Sequence, residues 1–259
     1  RGERVWDTNS FFQGSFVKEV NDQFKTQVNA KYAFYRTHYV NNDDKLIEVD
    51  NLYKQREVYV STANMYTIFP FWDVSMSYDF QWNEMKADMY GFVFPTRFTN
   101  LLSIATALRL GKVKLQGSGL ATFVNDRVKE GPAPKARQIL TPAVFLSYKL
   151  FDKHDFSLRA FYKKTFRMPT FNDLYYADMG NSKLDPEYVT QYNLGTVYQK
   201  QWGNKLFRHF KIQADGYYNY VKDKIIAYPK GQQFRWTMLN LGKVKITVSY
   251  THLTLPTIA

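Results

Sequence analysis

Between residues 72 and 83 the chain alternates without a fault. Trp72, Val74, Met76, Tyr78, Phe80 and Trp82 fill the even positions, and Asp73, Ser75, Ser77, Asp79, Gln81 and Asn83 fill the odd ones. A period of two sends successive side chains to opposite faces of a strand, so one face here is wholly apolar and the other wholly polar. The same phase runs through Phe24, Val28, Ala30, Tyr32 and Phe34 against Lys25, Gln27, Asn29 and Lys31. It returns in Phe210, Ile212, Ala214, Tyr218 and Tyr220 against Lys211, Gln213, Asp215 and Asn219. Weaker alternation covers 8–19, 55–68, 96–110, 112–124, 138–150, 156–166, 187–201 and 236–247. The pattern predicts an all-β, antiparallel chain of about 11 strands, many longer than the roughly 5–6 residues usual in globular proteins. No amphipathic helix of three turns or more is predicted.

The connections carry the second signal. Short ones fall near 20–23, 69–71, 111, 151–155 and 202–205, and long polar ones at 40–54, 83–95, 125–137, 167–186 and 223–235. Short turns on one side and long loops on the other are the grammar of outer-membrane barrels. A soluble β-sandwich, the carbohydrate-binding kind included, has shorter strands and no such alternation. No apolar run approaches the roughly 18 residues of a membrane helix, which says nothing against a barrel, whose strands alternate. Aromatic residues make up 18% of the chain, and Trp72, Trp82, Trp202, Tyr218, Tyr220 and Trp236 near strand ends suit interfacial girdles.

In such a barrel the apolar face meets lipid and the polar face lines the lumen. Lys25, Lys31, Arg109, Lys149, Arg159, Lys163 and Lys211 are then expected on a wetted inner face. About 11 strands would leave open edges, so the chain is expected to be an incomplete barrel. The net charge of +12 invites a nucleic-acid reading, but the cations are dispersed and no binding motif accompanies them. Arg97, Arg127, Lys129, Lys135, Arg137 and Arg167, expected on loops, could instead meet lipopolysaccharide phosphates or an anionic substrate, but the favoured reading is that a piece of a larger protein need not have balanced charge.

A family enters with the segment TFRMPTFNDLYYADMGNSKLDPE, residues 165–187. Phe166 to Tyr176, then Gly180-Asn181, Leu184, Pro186-Glu187 and Tyr192 to Gly195, resemble TonB-dependent outer-membrane receptors, most closely those of Bacteroidota. Tyr218 to Ile226, Pro229, Trp236 and Asn240 to Val244 follow in the same order and spacing. The resemblance implies a barrel of about 22 strands closed by a plug, energised by the TonB complex for uptake of a ferric siderophore, vitamin B12 or a similar scarce nutrient. It also implies a place in the bacterial outer membrane, among lipid and lipopolysaccharide. Neither plug nor TonB-contacting region is visible in these residues. The alternative is a non-energised porin-like or structural barrel. Residues 1–247 are expected to be the partial barrel. Residues 248–259 (VSYTHLTLPTIA) leave the pattern, look like sequencing-adapter read-through, and are set aside as a non-native tail.

No catalytic constellation appears, and no enzyme or cofactor is expected. Cysteine is absent, and His38, His154, His209 and His252 lack metal-site spacing. Gly117-Ser118-Gly119 lies within a strand without the spacing of a nucleophile elbow. The acidic loop with Asp43, Asp44 and Asp50 offers hard oxygen ligands that could hold calcium, but a solvated loop is the default. The aromatic segment has two readings. Phe171, Tyr175 and Tyr176 could stack on a ligand, with Arg167 and Asn172 hydrogen bonding to it, or the aromatics could hold the loop in shape. The second is favoured, because a motif shared by receptors of many ligands suits a common scaffold.

Overall fold

The computed structural model describes residues 3–42, 48–131, 133–151, 155–176, 179–201, 209–230 and 235–254. They form one 11-stranded sheet in which every strand pairs with its sequence neighbours, β1 and β11 being the edges. The strands are β1 Glu3–Glu19, β2 Phe24–Asn41, β3 Val49–Phe69, β4 Trp72–Ala87, β5 Thr96–Leu110, β6 Val113–Arg127, β7 Arg137–Lys149, β8 Asp155–Arg167, β9 Glu187–Gln201, β10 His209–Lys230 and β11 Arg235–Thr254. One short helix, α1 (Phe171–Tyr175), lies between β8 and β9.

Register carries the alternation from strand to strand. Asn83 pairs with Glu57 and Arg97, Glu57 with Ala33, and Arg97 with Asp126. Further on, Ser147 pairs with Arg159, Arg159 with Gly195 and Gly195 with Asp215. Antiparallel partners share a face. The seven cations expected on one inner face therefore do lie on one face.

Burial sets this sheet apart from a water-soluble one. Thr122 (1% exposed), Asp126, Asp215, Asn193 and Arg97 are buried on the inner face, whereas Phe12 (78%), Leu140 (70%) and Leu194 (67%) stand exposed on the outer one. Water would reverse that preference; a lipid-facing exterior accounts for it.

The strands, from 13 to 22 residues, exceed the roughly 9–11 needed to cross a bilayer. Their surplus lies toward the long connections. There the outer face turns polar, with Arg36, Lys54, Arg56, Glu84, Lys86, Lys222 and Lys224. This explains one departure from the sequence reading. The long connection expected at 223–235 is mostly strand, because β10 continues to Lys230 and β11 begins at Arg235. Beyond the hydrocarbon a strand needs no apolar face, so its lysines resemble a loop. The stretch set aside as a tail also enters the sheet as far as Thr254, where β-prone Val248, Tyr250 and Thr254 pair with Tyr217, Asp215 and Lys211.

Candidate functional site

The described residues of 168–186, the connection between β8 and β9, fold inward across the mouth of the half-barrel. Pro169 and Pro186 are fully buried at its two ends. Thr170 starts the helix with a capping box: its hydroxyl accepts from the Asp173 amide at 3.1 Å, and the Asp173 carboxylate accepts from the Thr170 amide at 2.9 Å. One turn later the chain folds back on itself, the amides of Gly180 and Asn181 donating to the carbonyls of Tyr176 and Asp173, each at 2.9 Å. A β-carbon at Gly180 would sit 2.7 Å from the Leu174 carbonyl, so only glycine permits this approach.

The short helix has an anchor on each side. Phe171 is buried among Tyr53, Met85, Ala87 and Phe92 of the β3–β5 wall, and Tyr176 stacks on Tyr53 at 4.8 Å between ring centroids. Leu174 is buried with Leu184 and Ile225 and packs against Met238, on the β10–β11 wall. The backbone is tied to that wall as well. Met238 donates its amide to the Met179 carbonyl at 2.9 Å and accepts from Asn181 Nδ2 at 2.9 Å. Asn240 accepts from the Asp185 amide at 2.9 Å and donates to the Asp185 carbonyl at 3.0 Å. Arg137 meets Asp185 at 2.5 Å. The connection is thus a strut between the two walls.

Arg97 fixes the other wall. Its Nε and Nη2 both donate to Asp126 at 2.7 Å, its Nη1 donates to the Pro169 carbonyl at 2.6 Å, and its guanidinium lies 5.2 Å from the Phe171 ring centroid. A planar fork satisfies a carboxylate with two donors and keeps a third free for the loop. This corrects the expectation of a solvent-facing cation at Arg97: it is a buried residue of β5. Arg127, Arg137 and Arg167 stand at strand ends, and two of them are paired within the chain: Arg137 with Asp185, and Arg167 with Asp173 at 3.3 Å and Glu187 at 3.9 Å. Arg127 lies over the Phe98 ring. Lys129 and Lys135 lie in the exposed connection between β6 and β7.

Of the five residues singled out for ligand contact, Phe171 is buried, Tyr175 and Tyr176 are half-buried, Arg167 is engaged with two carboxylates, and Asn172 is exposed. Burial, reinforced by the negative charge of Asp126, pushes the Tyr175 phenol up to about 12, and its hydroxyl is buried without a hydrogen-bond partner. Asp43 and Asp44 lie outside the described residues. Asp50 is taken up by His38 Nε2 at 2.6 Å, and among the described residues no cluster of three or more potential metal ligands occurs.

Beneath the strut lies a cavity of about 300 Å³ lined by Gln55, Glu57, Gln81, Asn83, Thr122 and Phe171 among others. Glu57 accepts from Lys31 at 2.9 Å, Gln81 at 3.2 Å and Asn83 at 3.3 Å. None of these residues drew notice in the sequence beyond its place on a polar face, because their partners come from separate strands. Deeper on the inner face, Asp215 is buried under Arg159, Asn193 and Gln213, and Gly195 leaves the space its carboxylate occupies.

Residues 2–247 match a family model described as TonB dependent receptor-like, beta-barrel. Over 82 residues the chain is 34% identical to the vitamin B12 transporter BtuB of Vibrio vulnificus (strain YJ016), a match covering 31% of this chain and 12% of that protein. The fold superposes on the copper transporter OprC with a TM-score of 0.78 at 16% identity, covering 100% of this chain and 45% of that one. It superposes on the FrpB iron transporter of Neisseria meningitidis (F5-1 variant, apoprotein form) with a TM-score of 0.71 at 12% identity, covering 96% and 42%. The chain therefore spans less than half the length of each of these three relatives.

Proposed function

The chain belongs to the TonB-dependent receptor β-barrel family, and from that premise we propose that it is part of the barrel of a bacterial outer-membrane receptor for a scarce nutrient, a ferric siderophore, vitamin B12 or a similar compound. Uptake is energised by the TonB complex acting through a plug domain that the described strands enclose together with the rest of the barrel. The protein performs no catalytic step. Residues 1–247 are the barrel portion, and 248–259 are a non-native tail; comparison of the encoding DNA with adapter sequence checks that boundary.

The observation that carries this reading is the inverted sheet, with charges buried on the inner face and large apolar side chains exposed on the outer one, under a mouth crossed by a packed strut. Arg167, Phe171, Tyr175 and Tyr176 act mainly by holding that strut, and Asn172 is the side chain they leave free to meet a ligand. The outer face is in contact with lipid, and the polar strand ends near Lys54, Arg56 and Lys86 reach the lipopolysaccharide layer.

The test is uptake by the full-length receptor in cells with and without a functional TonB protein. Accumulation of radiolabelled cyanocobalamin or ferric siderophore that disappears without TonB supports the proposal. Accumulation that persists unchanged would identify a passive barrel.

A further inference from the structure

We propose that the outer face of β1–β4 carries a binding site for a phosphate-bearing lipid of the outer leaflet. Arg36, Lys54, Arg56 and Lys86 hold its headgroup, and a groove below them takes its acyl chains. The inference rests on the reading of this chain as part of an outer-membrane barrel and names a partner for its lipid-facing side, away from the lumen.

Register creates the headgroup site. Lys54 of β3 pairs with Arg36 on one side and with Lys86 on the other, so three cations stand abreast on one face. One row nearer the hydrocarbon, Arg56 lies between Phe34 and Glu84. Neighbouring strands are about 4.8 Å apart, which sets the three abreast within roughly 10 Å of backbone. All four cations are exposed. Like charges directly opposite one another destabilise a sheet.

The chain's own carboxylates do little to relieve this conflict. Among the described residues only Lys86 of the four has an ion pair, with Glu84 at 3.2 Å. Asp50 meets His38 at 2.6 Å, and Asp88 accepts from the Leu52 amide at 2.7 Å. Across the sheet the same conflict is met internally: Lys222 opposes Lys243 but has Asp223 at 3.7 Å.

Charge selects the headgroup. In the two rows four cations face one carboxylate, a surplus of three positive charges. A phosphate monoester brings about −1.5 to −2, so one offsets half or more of the surplus and two offset all of it. Guanidinium and ammonium groups both make charge-assisted bonds to phosphate oxygens. A zwitterionic headgroup offers no net charge to match.

Depth selects a lipid over a soluble anion. Ala30 lies six residues below Arg36 in β2. That is about 20 Å along the strand, or roughly 14 Å of depth at a 45° tilt, within one leaflet of a hydrocarbon core about 30 Å thick. There Gly14 pairs with Ala30, between the pairs Phe12–Tyr32 above and Phe16–Val28 below. Two small side chains among four large ones leave a groove of about 600 Å³ with a mainly apolar lining. Groove and cation row share one face, so a single lipid engages both.

The experiment uses the full-length receptor in detergent, with binding read by native mass spectrometry. The probes are monophosphoryl lipid A, the same lipid after phosphatase treatment, and inorganic pyrophosphate. The phosphorylated lipid is expected to bind, and the other two to bind at least about tenfold more weakly. Replacing the row by Arg36→Gln, Lys54→Gln and Lys86→Gln together should weaken the lipid about a hundredfold, at roughly fivefold per cation. The charge-keeping set Arg36→Lys, Lys54→Arg and Lys86→Arg should retain binding, which separates lost charge from lost fold. Ala30→Phe, which fills the groove, should weaken the lipid, and Lys129→Gln with Lys135→Gln should leave it unchanged. Equal binding of the dephosphorylated lipid, or full binding by the glutamine set, overturns the inference. So does pyrophosphate binding as tightly as the lipid, or an equal loss in the Lys129 and Lys135 pair. TonB dependence of uptake is a separate readout: its absence with lipid binding intact would remove the receptor reading and leave this site standing.

Discussion

Two long connections leave the same end of the sheet and behave differently. The described residues of 128–136, between β6 and β7, lie mostly on the surface: Lys129, Glu130, Gly131, Ala133, Lys135 and Ala136 are exposed. Residues 168–186, between β8 and β9, bury Phe171, Leu174 and Leu184 and tie their backbone to two walls. Both contain prolines, so stiffening alone does not separate them. What separates them is apolar content placed to reach opposite walls, with a buried ion pair behind it. Among its described residues VKEGPAPKA half-buries only Val128 and Pro134 and makes one backbone bond, from the Lys129 amide to the Val93 carbonyl; MPTFNDLYYADMGNSKLDP buries Phe171, Leu174 and Leu184.

The sharpest way to break this contrast is Arg97→Ala. It strands Asp126, whose side chain is 3% exposed, without its partner and removes the donor on Pro169. Loss of one member of a buried pair costs about 3–5 kcal/mol. Urea unfolding of the detergent-held receptor should report a loss of that size, with the strut becoming sensitive to protease. Gly180→Ala comes next. The added β-carbon meets backbone that cannot swing aside, and a loss of about 2 kcal/mol is expected in the same assay.

Tyr175→Phe should go the other way. Its hydroxyl is buried without a partner, so removing it is expected to stabilise the strut by about 1 kcal/mol. The same residue sets a pH dependence. Its folded-state pKa of about 12 lies above the ordinary value of about 10, so the fold favours the neutral phenol. Stability is full below pH ~10 and falls as pH rises toward 12. Burial also raises Tyr176, so the phenylalanine variant should lose part of this alkaline sensitivity in a protease-susceptibility titration. At the small end, Lys135→Ala in the exposed connection should stay within about 0.5 kcal/mol of wild type.

Much of the sheet was legible because lipid on one side and a polar lumen on the other impose a period of two. The phase at Trp72–Asn83 placed Lys31, Arg109, Arg159 and Lys211 on the correct face with no knowledge of pairing. Legibility failed where that constraint ends. Asp223 and Lys224 read as loop because a strand beyond the bilayer tolerates charge on both faces. Arg97 read as a loop cation because its partners, Asp126 and Pro169, lie 29 and 72 residues away and no local pattern announces them. The segment holding the strut was conspicuous, but the wall residues receiving it, Tyr53, Met85 and Ile225, were not. Each is ordinary in its own strand and acquires a role only through register.

Amide hydrogen exchange on the full-length receptor tests the central claim most directly, by comparing peptides spanning 170–185 and 128–136. The fixed strut predicts that the first exchanges at least about a hundredfold more slowly, equivalent to roughly 3 kcal/mol of local opening, with Gly180 and Asn181 protected through their bonds to Tyr176 and Asp173. Equal rates in the two peptides would contradict it.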